Sequence, residues 1–289
     1  MSERFFTAEA TDAFRSLYPE QPGILTHRLL GHPLFELEAL VELAQRMRPV
    51  DAEYNRGDLP VGIDPTAMPS NGLGVAETIR SIEQCGSWMV LKFIEQDSVY
   101  RDLLHSVLAE LEPLVRPVTG EMLKLEGFIF ISSPDAVTPF HFDPEHNILL
   151  QLRGRKTMTV FPAGDEGLAS STSHEAFHDG GHRNLPWRDE FAAKGRPFEL
   201  RPGEAIHVPV KAPHWVRNGP EVSISFSITW KSEWSYQEAD ARSLNRMLRK
   251  FGLDPAPPRR FPERNLAKSV AYRAAAKAAR ALKGVRPGG

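Results

Sequence analysis

Apolar residues return at helical spacing in three stretches of the first part of the chain: Leu34, Leu37, Leu40, Val41 and Ala44; Val75, Ile79 and Ile82; Val99, Leu103, Val107 and Leu111. Each predicts a helix with one buried face. Between the second and third, the run from Ser87 to Ile94 is short and rich in aromatic and aliphatic residues, which predicts a strand. Asp58 to Gly74, with its prolines and glycines, reads as a loop. The texture changes near Glu126. Short β-rich runs follow one another at Gly127 to Ser132, Asn147 to Leu152, Lys156 to Phe161, Glu204 to Val208 and Val222 to Trp230, parted by Pro and Gly turns. That succession predicts an antiparallel sandwich or small barrel. A polar stretch over 163–197 is too long for a hairpin loop and is expected to be an insertion near the functional mouth. The helical pattern returns at Glu238 to Lys250 and, past a Pro-rich break at Asp254 to Arg260, at Arg264 to Lys283. The expected organisation is a mainly helical region over 1–119, a β core over 120–232 and a helical region over 233–289.

Length and composition set outer bounds. A chain of 289 residues suits one large domain or one domain with appendages. Its apolar runs fall far short of the roughly 18 residues that span a bilayer, so no membrane segment is expected. The start, Met1 to Thr7, lacks the basic and apolar blocks of a secretory leader, which leads to an expectation of a cytoplasmic protein. The lone Cys85 excludes an intramolecular disulfide and a multi-cysteine zinc site. Charge is uneven. Residues 241–289 hold 13 Lys and Arg against Asp254 and Glu263, a net of +11, and the remaining 22 bases and 35 acids of residues 1–240 leave −13. Such a tail either docks on an acidic surface of its own body or partner subunit, the plainer expectation, or binds nucleic acid.

The densest chemistry lies in Thr138-Pro139-Phe140-His141-Phe142-Asp143, followed by Asn147. On an extended strand His141 and Asp143 share a face and can offer an imidazole nitrogen and a carboxylate oxygen to one ion. Two ligands do not hold an open metal site, and the segment Arg201 to Trp215, in which a Pro-Gly turn, a strand and a Pro-rich approach lead to His214, supplies a third. Two His and one carboxylate on one face of an octahedron form the set found in non-haem Fe(II) oxygenases. His207, on the strand before His214, competes for the third position, and His146 falls on the wrong parity. His174, His178 and His182 recur every four residues, but Gly180 and Gly181 break a helix there, and they read as a polar loop. Lys156 shares the parity of Met158 and Val160, the buried positions of its strand. Its ammonium therefore either meets an anion or snorkels to water.

The spacing Thr138-x-x-His141-x-Asp143-x-x-x-Asn147, with Lys156 beyond it and the Pro-Gly…Pro…His214 segment, resembles the cupin-like JmjC branch of Fe(II)/2-oxoglutarate oxygenases and is most similar to the asparaginyl hydroxylase that modifies hypoxia-inducible factor. The resemblance covers roughly residues 120–232. It implies a mainly β fold with flanking helices, a double-stranded β-helix (jelly roll, cupin) core, and Fe(II), 2-oxoglutarate and O2 as metal and cosubstrates. By the same resemblance His141, Asp143 and His214 bind iron, Lys156 and Thr138 hold the far carboxylate of 2-oxoglutarate, and Asn147 shapes its pocket. Ser227 stands where the family carries a second Asn. The implied reaction decarboxylates 2-oxoglutarate to succinate and CO2 while oxidising a substrate C–H, and hydroxylation of an N-methyl group would give demethylation.

The expected substrate is a peptide or protein side chain, with a small metabolite as the enzymatic competitor. Trp187, Arg183 and Arg188 in the insertion, and Tyr54, Asn55 and Arg56 in the N-terminal region, are candidate substrate-side residues. Leu244, Met247, Leu248 and Phe251 form an apolar stripe that buries against a partner subunit, giving a homodimer through the C-terminal helices, or against the barrel. The rivals are a non-catalytic cupin that uses its tail on nucleic acid and a cupin of another metal class, which has no use for Lys156.

Overall fold

The computed structural model describes residues 4–64 and 69–282. The first part of the chain runs α1 (Ala8–Leu17), β1 (Gly23–Thr26), α2 (Leu37–Arg46), β2 (Ala52–Arg56), α3 (Val75–Arg80), β3 (Ser87–Lys92), α4 (Ser98–Ala109) and α5 (Glu112–Thr119). Eight strands follow with one helix among them: β4 (Met122–Ser132), β5 (Val137–His141), β6 (His146–Arg153), β7 (Lys156–Val160), α6 (Ser171–His178), β8 (Arg196–Leu200), β9 (Glu204–Val208), β10 (His214–Asn218) and β11 (Ser223–Ser232). The chain then closes with α7 (Glu233–Lys250) and α8 (Leu266–Leu282). The three helices read from apolar spacing are α2, α3 and α4, and the Ser87 run is β3.

The strands build two antiparallel sheets, ordered β1-β9-β6-β11-β4-β3-β2 and β5-β10-β7-β8. Within them, β9-β6-β11-β4 faces β5-β10-β7-β8, which is the strand order of an eight-stranded jelly roll. The expected double-stranded β-helix is therefore present. The N-terminal region is less purely helical than its pattern implied, because β1, β2 and β3 extend the larger sheet at both edges. Strands β1 and β2 are too short, and β2 too polar, to stand out in the sequence.

Alternation along the strands explains the layers. Ile129 and Ile131, Ile148 and Leu150, and Phe226 and Ile228 turn to one face of the large sheet and pack under Phe14, Leu40 and Leu104 of α1, α2 and α4. The other face of that sheet sends Leu149, Ile206 and Val208 against Met158, Val160, Phe198 and Val216 of the small sheet. A third cluster, Phe140, Phe142, Phe161, Leu185 and Phe191, packs the insertion on the outside of the small sheet. Strands buried on both faces read as continuous apolar runs, which is why they were legible as strands but not as faces. Gly154 turns the chain from β6 to β7 at φ +67°, where a Cβ would fall 2.3 Å from the Val222 carbonyl oxygen, so only glycine fits.

The insertion is not a plain loop. Ser170 caps α6 through Ser173 N–H, and the helix carries His174 and His178 before it ends at Asp179 and Gly180. The reading of these histidines as loop residues is corrected: the glycines stop the helix after His178 instead of preventing it. At the C-terminal end, Ser232 and Ser235 form a reciprocal cap that starts α7 directly from β11. Among the described residues, no helix is long and apolar enough to cross a membrane.

Candidate metal centre

His141, Asp143 and His214 converge at one end of the jelly roll, with one donor atom from each lying within 4.8 Å of the others. Strands β5 and β10 pair so that His141 and His214 are directly opposite, which brings their rings to 4.2 Å between centroids. His141 is the last residue of β5, and Asp143 lies in the turn beyond it, so the pair meets around a strand end and not along an extended strand. Asp143 Oδ2 is 3.6 Å from His214 Nε2 and Oδ1 is 3.9 Å from His141 Nε2.

Both imidazoles are oriented from behind. His141 Nδ1 bonds the Pro139 carbonyl oxygen at 2.7 Å and His214 Nδ1 bonds the Ala212 carbonyl oxygen at 2.9 Å. A carbonyl only accepts, so each Nδ1 carries a proton and each Nε2 is the ring nitrogen left facing the carboxylate. Burial, then the neighbouring His214, pushes His141 down to about 3, which keeps it neutral and able to ligate at pH 7. Burial opposes the charge on Asp143, but His141, Arg183 and His214 together hold its carboxyl below the usual range. Two imidazoles, each held through Nδ1 by a carbonyl oxygen, and one carboxylate, fixed on one side with a cleft on the other, fit a divalent transition metal in the two-His, one-carboxylate manner. No other His, Cys, Asp and Glu group among the described residues has this geometry.

The cleft in front of the triad has a volume of ≈ 440 Å³. Thr138, His141, Asp143, Asn147 and Ser227 all line it, so most of the residues picked from sequence meet there. Asn147 Nδ2 approaches Asp143 Oδ2 at 3.5 Å, and Ser227 Oγ donates to Asn147 Oδ1 at 2.8 Å. Ser227 thus orients Asn147. Lys156 is not among the cleft's lining residues. It stands opposite Asn218 on the β7–β10 ladder, four residues along from Val160, the partner of His214. At the usual rise of a strand that is about 13 Å deeper in the barrel. Its side chain is 6% exposed, and burial alone pushes it down to about 7. No hydrogen bond or ion pair of the Lys156 side chain is found among the described residues.

The competing histidines are used elsewhere. His207 Nδ1 bonds the Gln21 carbonyl oxygen, and His146 bonds Ser232 and stacks on Trp230. Of the insertion residues, Arg183 reaches the centre itself: its Nη1 donates to Asp143 Oδ1 at 2.6 Å. Asn184 bridges to His141, and Leu185 N–H bonds the Phe140 carbonyl oxygen, so this short segment runs beside the end of β5. Trp187 packs on Phe140 and Phe161 and serves the outer cluster.

Sequence reasoning missed the cleft's far wall. Trp88 and Val90 of β3 and Glu126, Phe128 and Phe130 of β4 face it, with Glu53, Lys92, Lys124 and Glu145 at its rim. The cleft-facing parity of β4 carries Lys124 and Glu126 before Phe128 and Phe130, a polar start that was the available signal, but the apolar run Phe128 to Ile131 masks the alternation where the strand is deepest.

The basic tail docks on the body. Arg246 and Lys250 pair with Asp179, Arg249 with Glu175 and Arg260 with Glu20, while Arg273 ties α8 to Asp240 of α7.

No protein-family model matches the chain. A stretch of 120 residues, 39% of this chain, is 32% identical to the lysine-specific demethylase JMJ30 of Arabidopsis thaliana. A stretch of 102 residues, 31% of this chain, is 31% identical to the Jumonji C domain-containing protein 5 of Drosophila melanogaster. These matches span about a quarter of each relative, 27% and 24% of their lengths. Among solved structures, E. coli ycfD superposes with a TM-score of 0.54 at 16% identity, over 96% of this chain and 69% of that one. YcfD of Escherichia coli, a ribosomal oxygenase, in complex with cobalt and 2-oxoglutarate, superposes with a TM-score of 0.51 at 16% identity, over 95% and 68% of the two chains. Those likenesses show a shared fold. In fold and in sequence, the chain is thus similar to the JmjC-type Fe(II)/2-oxoglutarate oxygenases.

Proposed function

We propose that this protein is an Fe(II)/2-oxoglutarate-dependent oxygenase that hydroxylates, or oxidatively demethylates, a side chain of a peptide or protein. The observation that carries the reading is the His141, Asp143, His214 triad, its donor atoms within 4.8 Å of one another and its His141 and Asp143 members lining the cleft. Bound there, the metal with 2-oxoglutarate and O2 supplies the oxidation of a substrate C–H coupled to decarboxylation to succinate and CO2. The chain's own residues bind and orient. Lys156, whose side chain has no hydrogen bond or ion pair among the described residues, lies buried on the inward parity of β7, and with Thr138 of the cleft wall it takes the far carboxylate of a glutarate-length diacid. Asn147, held by Ser227, and Arg183 fix the Asp143 carboxylate, and the aromatic wall of Trp88, Phe128 and Phe130 keeps the cleft dry behind its charged rim.

A macromolecular substrate is favoured by a cleft that opens between charged residues of several elements, and by the relatives, one of which is a lysine demethylase. Ion pairing of the tail onto the body supports docking over nucleic-acid binding. Two copies pair through the C-terminal helices in this reading, since Phe251 (81%), Leu253, Leu266 and Val270 leave apolar surface exposed at the junction of α7 and α8.

Isothermal titration of 2-oxoglutarate into anaerobic Fe(II)-loaded protein, followed by succinate detection in air with a peptide library, tests the reading. Metal-dependent binding that disappears in His141→Ala, with succinate formed in step with an oxidised peptide, is expected. Absence of binding by folded, metal-loaded protein overturns it.

A further inference from the structure

Among the charged groups buried away from the cleft, one cluster stands directly behind the metal ligands. Lys211, 1% exposed, lies in the turn between β9 and β10 that ends at His214. Its Nζ contacts Glu238 of α7 and approaches Nε2 of His178 on α6 at 2.8 Å. The other oxygen of Glu238 accepts from Arg242 Nε at 2.5 Å, and Arg242 reaches Ser171 of α6 at 3.4 Å. Lys211 is thus held at once by the insertion and by the C-terminal helix.

The same turn registers two of the three metal ligands. Lys211 N–H donates to the Asp143 carbonyl oxygen at 2.8 Å, and one residue later the Ala212 carbonyl oxygen accepts from His214 Nδ1. Lys211 adopts φ +59°, a left-handed conformation that glycine takes without strain and lysine does not. A buried charge is a second cost. Glycine would satisfy the backbone alone, so what lysine adds at this position is its reach to Glu238.

We propose that Lys211 and Glu238 are positioning residues of the metal centre. The α7 carboxylate, acting through the buried lysine, holds the turn from Pro209 to Pro213, and with it Asp143 and His214, at the separation a divalent metal needs. The proposal rests on the metal-centre reading given above, and it gives the C-terminal helix a part in that centre.

Co(II) is the probe, with its dissociation constant measured by titration and its coordination read from visible absorption. Lys211→Gly removes the side chain while relieving the backbone. Lys211→Met leaves Glu238 and Arg242 as a neutral buried pair and provides a second variant should the first fail to fold. Arg249→Met breaks an ion pair between the same two helices, with Glu175, without touching the turn. Both Lys211 variants are expected to bind Co(II) about 10- to 100-fold more weakly, the usual loss for residues behind a metal ligand, with an altered spectrum. Arg249→Met keeps the wild-type constant and spectrum even where its melting temperature falls. Wild-type affinity and spectrum in a folded Lys211 variant overturn the proposal and leave the metal centre standing. His141→Ala indistinguishable from wild type toward Co(II) overturns both.

Discussion

Two lysines are buried in the same jelly roll, and they differ in company. Lys156 on β7 and Lys211 in the turn before β10 are 6% and 1% exposed, and burial pushes each down to about 7. Lys211 has Glu238 and His178 against its ammonium. Lys156 has nothing of the kind. A buried cation that the protein itself satisfies belongs to the scaffold, whereas one left without a counter-ion is costly unless an anion arrives from outside. The contrast separates a lysine that the scaffold satisfies from one that the proposed cosubstrate would satisfy, where burial alone does not.

The contrast has consequences of graded size. Lys156→Met is expected to weaken 2-oxoglutarate binding to the Fe(II)-loaded protein by about 2–5 kcal/mol, the usual cost of truncating one partner of a buried charge pair, which calorimetry reads as at least about a 30-fold loss. Unchanged affinity would remove Lys156 from the cosubstrate site. Without cosubstrate the order reverses. Lys156→Met is expected to raise stability by about 1–4 kcal/mol, because an apolar side chain of similar size replaces an unpaired buried cation. Lys211→Met is expected to lower it by about 1.5–3 kcal/mol, through loss of charge-assisted hydrogen bonds. Urea denaturation at pH 7 compares the two, and equal signs would erase the distinction.

The next effect follows from linkage. Lys156 is lowered from an ordinary value of 10.5 to about 7, so between those two pH values the unfolded chain binds a proton there that the folded chain does not. Stability of the cosubstrate-free protein therefore rises with pH across that window and is smallest below it. Lys156→Met should remove about 1.4 kcal/mol per pH unit of that slope, measurable by denaturation between pH 7.5 and 9.5. A slope identical to wild type would mean that Lys156 is charged throughout. The smallest effect is expected at the far end of the chain. Phe251→Glu, at an exposed position, should change monomer stability by less than about 0.5 kcal/mol and shift a dimer to monomer in light scattering. A dimer that survives this change would place the interface elsewhere.

The metal ligands were legible because their chemistry is local: His141 and Asp143 are two residues apart, and the Pro-rich approach to His214 limits where that side chain can go. Lys156 stood out because a lysine on the apolar parity of a strand contradicts its surroundings. Arg183 was visible as a charged residue of the insertion, but its contact with Asp143 depends on the segment around Asn184 lying beside β5, a long-range pairing with no spacing to announce it. The cleft wall stayed hidden for a related reason. Phe128 to Ile131 is apolar on both parities, and only the packing of β4 against β3 and β11 decides that Phe128 and Phe130 face the cleft while Ile129 and Ile131 face the helices.

Lys211 marks the limit most sharply. Between two prolines in a short turn it has the sequence of an exposed residue, and Glu238 looks like any acid on the polar face of a helix. Periodicity established the β core and its flanking helices, and ligand spacing together with the family resemblance marked three candidate metal donors, since these rest on patterns carried by short stretches of the chain. Which buried charge found a partner and which did not, and which face of each strand met the cleft, were decided only when distant segments packed together. Burial and pairing are properties of the assembled layers, and no local stretch of sequence carries them.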